Sequence, residues 1–511
     1  MSLHDLPTEL LLYIFKLIAD HPADGSDSVI AGTSLSRVCR LWRELALSLQ
    51  ELWAALPRTD SAFTNLCLER CLSAPLYLNL KSLFLGTEDK RQAVQCLYPH
   101  FGRVKRISLI VHESRLYRYE TYPIGLRELK NALRAQPLCA LEHLELKLVT
   151  YPGEAYGPPM PMPSELSQTL FPATLHDLTC SNIIFARDQH VAFSNIRRLD
   201  LVQVQAWHCL DDISAFFRSM PLLEYFSHTR FILNFSTNPT LVPNALPASR
   251  SVQMRYLRTF RMEGLLPHAY AVFSCLEIPS SATLIIQDTD PGIDTAILIM
   301  LYRHIPDQYL ELLKSISSAL YTHFAIAIAR DIHYDSVRLD RHIVTALDVA
   351  GDSFDGTSWA HTNVLPAPGN IRLHLPPVQF LDDLEFESAA LEAACKFILP
   401  IFSTASIVEL GKLVEPCQAS MFTAARIIQL ESVKAMSAFA RGPLRTALEC
   451  VRVMGVALHE ETDAEECRKV VRYLREGGRE VRLELVKCDV SPQALESLRG
   501  DMQPWKVVCD E

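Results

Sequence analysis

Ser353 is the residue in this sequence that comes closest to a catalytic nucleophile. It ends a Gly-Asp-Ser triplet at 351–353, directly after the apolar run 343–350. A serine hydroxyl attacks a carbonyl carbon only when a histidine takes its proton and an acidic side chain orients that histidine. With those partners in place, the chemistry of this residue would be acyl transfer.

The downstream sequence does not supply such partners. The triplet resembles the nucleophile block of one esterase family, and this resemblance implies an Asp-x-x-His pair further along the chain. The downstream histidines are His361, His374 and His459, and the residues three positions before them are Ser358, Ile371 and Val456. None of these preceding residues is acidic. We therefore interpret 351–370 as a loop and predict that the chain is not an enzyme.

The spacing of histidines and cysteines predicts no metal site. His208 and Cys209 are adjacent, and neighbours in sequence rarely converge on one ion. Cys67 and Cys71 have helical spacing, but no second pair follows at the distance typical of a zinc site. Glycine-rich phosphate loops of the Walker or dinucleotide type are also missing. We expect neither a metal nor a cofactor.

Composition indicates a folded protein without affinity for polyanions. Of the 511 residues, 49% are hydrophobic and 21% are charged, and the formal net charge is −10. A negative charge gives no attraction to nucleic acid or to an anionic membrane. Residues 113–122 alternate Arg with Tyr as a base-stacking platform does, but they also carry acids. No apolar run reaches membrane-spanning length, so we expect neither nucleic acid nor a membrane as a partner.

The first residues favour an intracellular protein, either cytoplasmic or nuclear. His4, Asp5 and Glu9 stand where a secretory signal needs a basic start and an apolar core. In a reducing compartment, the 14 cysteines are expected to be buried thiols rather than disulfides.

The elements that carry the strongest pattern are two amphipathic helices near the N-terminus. The first lies within the run 3–18 and is predicted to begin just after Asp5, with Pro7 in its first turn. Its apolar stripe repeats every three or four residues. The stripe consists of Leu6, Leu10 and Ile14, widened by Leu3, Leu11, Phe15 and Ile18.

The second helix is predicted over residues 34–46, with Thr33 or Ser34 as its cap. Its apolar positions again follow helical spacing, and the arginines at 37, 40 and 43 point the other way. The apolar set is Leu35, Val38, Cys39, Trp42, Leu45, Ala46 and Leu49.

These two helices, followed by Leu52 and Trp53, resemble the F-box, a helical module that binds the Skp adaptor of cullin ubiquitin ligases. The matching segments are LPTELLLYIF at 6–15 and VCRLWRELA at 38–46, and the connector at 21–32 is longer than the family's usual link. The resemblance implies a set of residues that divide between the module's own core and its face for the adaptor. They are Leu6, Pro7, Leu10, Leu11, Ile14, Phe15, Val38, Cys39, Trp42 and Trp53. The alternative is an ordinary helical hairpin that packs on the rest of the chain.

A leucine phrase, apolar-x-x-apolar-x-apolar, recurs after the helices. Its copies begin at residues 75, 104, 141, 175, 196, 223 and 257, and the clearest is Leu141, Leu144 and Leu146. Alternating apolar residues predict short strands with one buried face, and helical returns at 123–137 and 211–221 allow successive strands to be parallel. The uneven spacing indicates irregular leucine-rich repeats, whose stacking buries faces that no single repeat can bury.

Beyond residue 262 the pattern continues with interruptions. It predicts strands at 283–288, 324–331 and 371–375, and a helix at 307–321. Two stretches rich in Pro and Gly, at 151–163 and 351–370, are predicted as loops. Such loops are either tolerated insertions or binding elements, and the sequence leaves both open.

The predicted fold class is α/β: an F-box helical module followed by an irregular leucine-rich-repeat solenoid, a curved parallel sheet with helices on its convex side. The domains are the F-box module (1–56), a connector with a first repeat-like unit (57–100) and the repeat domain (101–511). The combination resembles the large F-box families of mushroom-forming fungi.

The resemblance implies the substrate-recognition subunit of an SCF-type (Skp adaptor, cullin, F-box) E3 ubiquitin ligase. Its partners would be a Skp-type adaptor, through it a cullin, and an unidentified target protein on the repeats. The alternative function is a non-catalytic interaction scaffold without a role in ubiquitin transfer.

Overall fold

The computed structural model of the chain describes most of the N-terminal half and separate segments of the C-terminal half. The described residues are 6–20, 28–58, 60–80, 88–112, 133–134, 136–149, 160–161, 171–185, 193–207, 210–231, 252–264, 266–287, 306–328, 334, 336–340, 343–347, 371–374, 396, 398–412, 414, 416–443, 447–458, 461–476, 481–491, 496 and 507–510. They belong to two compact units, Met1–Leu233 and Asn234–Glu511.

The first unit begins with helices and continues as a sheet. Its helices are α1 (Thr8–Asp20), α2 (Ser28–Leu35), α3 (Arg40–Ser48), α4 (Ser61–Arg70), α5 (Glu88–Gln95) and α6 (Leu210–Arg218), with 3-10 turns at Gln50–Trp53 and Tyr98–Arg103. Its strands are β1 (Ala55–Leu56), β2 (Leu76–Asn79), β3 (Val104–His112), β4 (His143–Val149), β5 (Met160–Pro161), β6 (Asp177–Ser181), β7 (Ile183–Ile184), β8 (Arg198–Val202) and β9 (Tyr225–Phe231).

The main sheet of the first unit is parallel throughout its described strands. Its order is β1, β2, β3, β4, β6, β8, β9, so each strand pairs with the next one along the chain apart from the short β5 and β7. The register aligns one apolar residue from every strand in a single row. The row is Leu56, Leu78, Ile107, Leu144, Leu178, Leu199 and Phe226, and all of its members are buried.

This row explains the leucine phrase. The phrase places an apolar residue on the same face of each short strand, and packing beside the aligned residues of the neighbouring strands removes that face from water. The six copies from 75 to 223 coincide with β2, β3, β4, β6, β8 and β9. Their predicted strands are therefore confirmed in this unit.

Two of these strands end in the same backbone conformation. Asn182 directly follows β6 and Gln203 directly follows β8, and both have positive φ, 60° and 55°. The N–H of Asn182 donates to the carbonyl of Val202 at 2.8 Å, and the N–H of Gln203 donates to that of Thr229 at 2.9 Å. A left-handed residue at the end of the strand thus turns the chain and still forms one more backbone hydrogen bond with the next strand.

The second unit contains longer stretches outside the described residues. Its helices are α7 (Leu266–Cys275), α8 (Pro306–Ile328), α9 (Pro416–Ser420), α10 (Val433–Ala440) and α11 (Glu461–Glu476), with a 3-10 turn at Leu399–Phe402. Its strands are β10 (Val252–Gln253), β11 (Thr259–Gly264), β12 (Leu276–Glu277), β13 (Thr283–Gln287), β14 (Ser336–Asp340), β15 (Ile343–Leu347), β16 (Ile371–His374), β17 (Ile407–Leu410), β18 (Ile427–Leu430), β19 (Cys450–Met454), β20 (Ala457–Leu458), β21 (Arg482–Val486), β22 (Asp489–Val490) and β23 (Val507–Asp510).

The sheet of the second unit departs from the purely parallel sheet that the sequence predicts. Its order is β11, β13, β16, β15, β14, β17, β18, β19, β21, β23, and β15 runs antiparallel to both β14 and β16. Only residues 341 and 342 separate β14 from β15. A two-residue link closes a hairpin, whereas a parallel crossover needs a dozen residues or more.

One predicted strand of the second unit is a helix. Residues 324–328, predicted as part of a strand at 324–331, form the last turns of α8. Phe324 is buried there, and its ring contacts those of Tyr334 at 5.7 Å and Phe402 at 5.6 Å between centroids. No Gly or Pro separates 321 from 324, so no residue there ends the predicted helix, and it continues to Ile328.

Several sequence predictions lie outside the described residues. These include the 351–370 loop with Ser353, the pair His208 and Cys209, and most of the 151–163 and 123–137 segments. The cysteines within the described residues are free thiols, and Cys67 and Cys71 are both buried. No helix within the described ranges has the length and apolar character that crossing a bilayer requires.

Candidate functional site

The first helix of the chain begins at Thr8, so Pro7 lies just before the helix rather than in its first turn as predicted. Pro7 precedes α1, and its carbonyl accepts hydrogen bonds from the N–H groups of Leu10 (3.0 Å) and Leu11 (3.1 Å). Pro7 therefore stands at the cap position, where its missing N–H costs nothing. Asp5, predicted as a capping residue, lies outside the described residues.

Helix α1 is apolar on two sides. Leu11, Phe15 and Ala19 lie one turn apart and are buried. A second set of large apolar side chains follows the spacing i, i+3, i+4, i+7 on the outer side, and we name this set the α1 stripe. It consists of Leu10 (49% exposed), Tyr13 (61%), Ile14 (39%) and Leu17 (42%).

The second predicted helix, 34–46, is broken in the structure. Residues 28–35 form α2, a turn occupies 36–38, and α3 begins at Arg40. Cys39 caps α3, since its Sγ accepts from the N–H of Trp42 at 3.5 Å. The side chain of Arg43 donates to the carbonyl of Ser36 at 2.9 Å, which ties the turn to the following helix.

This break also corrects the interpretation of the connector. The predicted link at 21–32 includes the first turns of α2, because 28–32 are helical. Ser28 rather than Thr33 or Ser34 is the first residue of that helix. Ser36 donates its hydroxyl to the carbonyl of Thr33 at 2.7 Å, so a local side-chain bond competes with helix continuation at this point.

Aromatic side chains hold the three helices together. The rings of Phe15 and Trp42 meet edge to face with 5.2 Å between centroids. Trp53 is buried, and its Nε1 donates to the carbonyl of Ala46 at 2.8 Å. Gly32 of α2 lies against the same turn, where an added Cβ would be in ordinary van der Waals contact with the carbonyl oxygen of Leu52 at 3.5 Å.

The core of the module continues into the sheet of the first unit. Leu56, three residues after the end of the Gln50–Trp53 turn, belongs to β1 and pairs in register with Leu78 of β2. The N–H of Tyr77 also donates to the carbonyl of Ala54 at 3.0 Å. The helical module is thus attached to the first strand of the sheet by backbone hydrogen bonds as well as by packing.

The structure sorts the ten residues that the sequence singled out. Those in the module's interior are Leu11, Phe15 and Trp53, which are buried; those at its surface are Pro7, Leu10, Ile14 and Val38, which are exposed; and those between are Leu6, Cys39 and Trp42, which are half-buried. Sequence reasoning did not include the exposed side chains of Tyr13, Leu17 and Leu41. The spacing of 10, 13, 14 and 17 would have identified two of them, had the outer side of α1 been examined separately from its buried side.

The charged residues of the module form its solvated side. The arginines at 37, 40 and 43 are exposed, as the sequence predicts. Arg40 pairs with Glu44 at 3.0 Å, but such an exposed pair contributes little to stability. The module therefore presents apolar side chains along α1, and on α3 the exposed Arg40 and Arg43 lie beside the exposed Leu41. An apolar helix face of this kind suits non-covalent docking of a partner.

Comparison with known families identifies the module. The F-box-like family matches residues 3–56 of the chain. These residues contain α1, α2 and α3, the Gln50–Trp53 turn and the short strand β1. No curated protein matches the chain.

Proposed function

We propose that the F-box-like module at 3–56 binds a Skp-type adaptor through the α1 stripe, and that the chain is the substrate-recognition subunit of an SCF-type E3 ubiquitin ligase. The observation that carries this proposal is the coincidence of the family match with four exposed, large apolar side chains on one side of α1. F-box domains generally bind Skp-type adaptors, and through the adaptor the chain would reach a cullin.

The α1 stripe has the chemistry of a docking surface. The opposite side of the same helix is anchored in the core by Leu11 and Phe15, so the helix is held in place before any partner arrives. Covering a large apolar side chain that is about half exposed contributes roughly 1 kcal/mol, so the four together contribute roughly 4 kcal/mol. A preformed helix loses little conformational entropy on binding, which preserves this gain.

The remainder of the chain would hold the target protein. We infer that both units are built from irregular leucine-rich repeats, because neighbouring strands are mostly parallel and carry one buried apolar row. The recurrence of a left-handed residue after β6, β8, β19 and β21 supports the same inference. Repeats of this type offer extended binding surfaces.

On this proposal the chain itself catalyses no reaction. Its contribution would be proximity, because a bound target has a high effective concentration near the ubiquitin-loaded enzyme recruited elsewhere in the complex. Such a complex would operate inside the cell.

The adaptor contact is tested by one substitution and a matched control. Ile14 of the α1 stripe and Leu66 of α4 are both 39% exposed, but Leu66 lies outside 3–56. We expect Ile14→Asp to weaken binding of a purified Skp-type adaptor at least about tenfold by calorimetry, and Leu66→Asp to leave it unchanged. Leu17→Asp serves as a second variant on the stripe. Unchanged binding in Ile14→Asp and Leu17→Asp, with unaltered circular dichroism, would refute the docking surface.

A cellular comparison separates a substrate receptor from a scaffold. Proteins that the full chain captures are first identified. Their abundance and ubiquitin modification are then measured by quantitative mass spectrometry in cells with the unmodified chain and in cells with Ile14→Asp. A receptor predicts captured proteins that lose ubiquitin and accumulate in the Ile14→Asp cells. Captured proteins whose ubiquitin modification and abundance do not change would favour the scaffold.

A further inference from the structure

Two histidines and two carboxylates meet where two neighbouring parallel strands begin. Glu142 and His143 lie at the start of β4, and His176 and Asp177 lie at the start of β6. The register pairs His143 with Asp177, and the carbonyl of Glu142 accepts from the N–H groups of His176 and Asp177, both at 3.1 Å. Residues 34 positions apart in sequence are thereby neighbours in the sheet.

Three of these side chains can reach one metal ion. One ligand atom each from Glu142, His143 and His176 lies within 4.8 Å of the others. Nε2 of His176 is 4.0 Å from Oε2 of Glu142, and the two imidazole rings are 4.9 Å apart between centroids. Tetrahedral zinc with bonds of about 2 Å places its ligand atoms about 3.3 Å apart. The side chains are only half-buried, so small rotations can close the difference.

The carboxylates at this cluster have separate partners. Oδ2 of Asp177 lies 3.2 Å from Nδ1 of His143, which favours the tautomer with its proton on Nδ1 and leaves Nε2 to act as a ligand. Nζ of Lys105 lies 2.8 Å from Oε1 of Glu142, whereas Oε2 is the oxygen near His176. One oxygen of Glu142 is thus held by a cation and the other faces the imidazole.

We propose that Glu142, His143 and His176 form a Zn²⁺ site that joins β4 to β6, with Asp177 as the residue that positions His143. Two imidazoles and one carboxylate are a ligand set that zinc accepts while one position stays open to water. This proposal is independent of the adaptor contact, since none of its residues lies in 3–56. No short ligand spacing in the sequence indicates this site, because the three residues come together only through the register of β4 and β6.

Titration of the full chain with Zn²⁺ tests the site. We expect one Zn²⁺ per chain to be bound with micromolar affinity by competition against a chromophoric chelator. His143→Gln and His176→Gln should each weaken that binding at least about tenfold. Asp177→Asn should weaken it by about 10- to 100-fold through the orientation of His143. Lys105→Met should strengthen binding, because it removes a cation that competes for Glu142.

His100→Gln is the matched control, because His100 is a half-buried histidine of the same unit and lies outside the cluster. It should bind Zn²⁺ as the unmodified chain does. Equal loss of binding in His100→Gln, or full binding in both cluster variants, would overturn the proposal. Weaker binding in Lys105→Met would contradict Glu142 as a ligand. If a histidine variant does not fold, as judged by circular dichroism, Glu142→Gln replaces it with the same expectation.

Discussion

Glu409 is expected to make the stability of the second unit depend on pH. It lies on β17, with its side chain only 5% exposed, and pairs in register with Arg338 of β14. The guanidinium of Arg338 is 3.5 Å from Glu409 but 2.8 Å from Glu431, so the closer carboxylate takes the stronger interaction. Glu409 is therefore a buried acid with a shared and distant counter-charge.

Burial raises the pKa of Glu409 from its ordinary 4.5 to about 7. Arg338 opposes this rise in pKa and Glu431 adds to it. Because the folded state then binds the proton more tightly than the unfolded chain does, stability is highest at low pH and falls as the pH rises from about 4.5 to about 7. A difference of about 2.5 pKa units corresponds to about 3 kcal/mol.

The perturbation is Glu409→Gln, which keeps the shape of the side chain and removes its titration. Unfolding by urea, followed by circular dichroism, gives the free energy of unfolding for both proteins at pH 5 and pH 8. Relative to the unmodified chain, Glu409→Gln should become more stable by about 2.5 kcal/mol between these two pH values, because a small part of the effect of Glu409 is already present at pH 5. Glu449→Gln is the control, because Glu449 is exposed and paired with Arg426. A stability difference between the Glu409→Gln protein and the unmodified chain that does not change with pH would refute the reasoning.

Two further predictions concern the backbone and the thiols. Gly455 has a φ of +60°, in the left-handed region, whereas the φ of Gly102 lies outside that region. A Cβ added at either glycine would meet no atom within 4 Å. We therefore expect Gly455→Ala to lower the free energy of unfolding by about 1 kcal/mol and Gly102→Ala to leave it nearly unchanged in urea unfolding; equal effects would contradict a backbone origin. Cys139 is exposed, whereas Cys180 is buried and burial raises its pKa. Maleimide should accordingly modify Cys139 well before Cys180 in the native protein, as read by peptide mass spectrometry, and faster labelling of Cys180 would contradict its burial.

The strands of the first unit could be predicted because each follows from a local pattern. In the segment 141–146, Leu144 and Leu146 alternate with polar residues within β4, Leu141 precedes the strand, and all three leucines are buried. The pairing of such a strand then follows from chain order, since each strand lies beside the next. Local pattern and long-range pairing agree here, so one implies the other.

Other features depended on interactions that no local pattern carries. The break between α2 and α3 results from hydrogen bonds of Ser36, Cys39 and Arg43, although the apolar spacing runs through it without interruption. The antiparallel direction of β15 depends on the two-residue link that precedes it, and the apolar run 343–350 gives no indication of strand direction. The division of the ten module residues into core and surface required the packing of Phe15 against Trp42. Periodicity locates an apolar side chain on a helix, but not what covers it.

The exposed outer side of α1 also affects how soluble the chain is when it is produced alone. Leu10, Tyr13, Ile14 and Leu17 face water together, and an apolar area of this kind promotes self-association as concentration rises. With the proposed adaptor as the molecule that covers this side of α1, the usable amount of the chain in a cell would follow the supply of that adaptor rather than the rate at which the chain is synthesised.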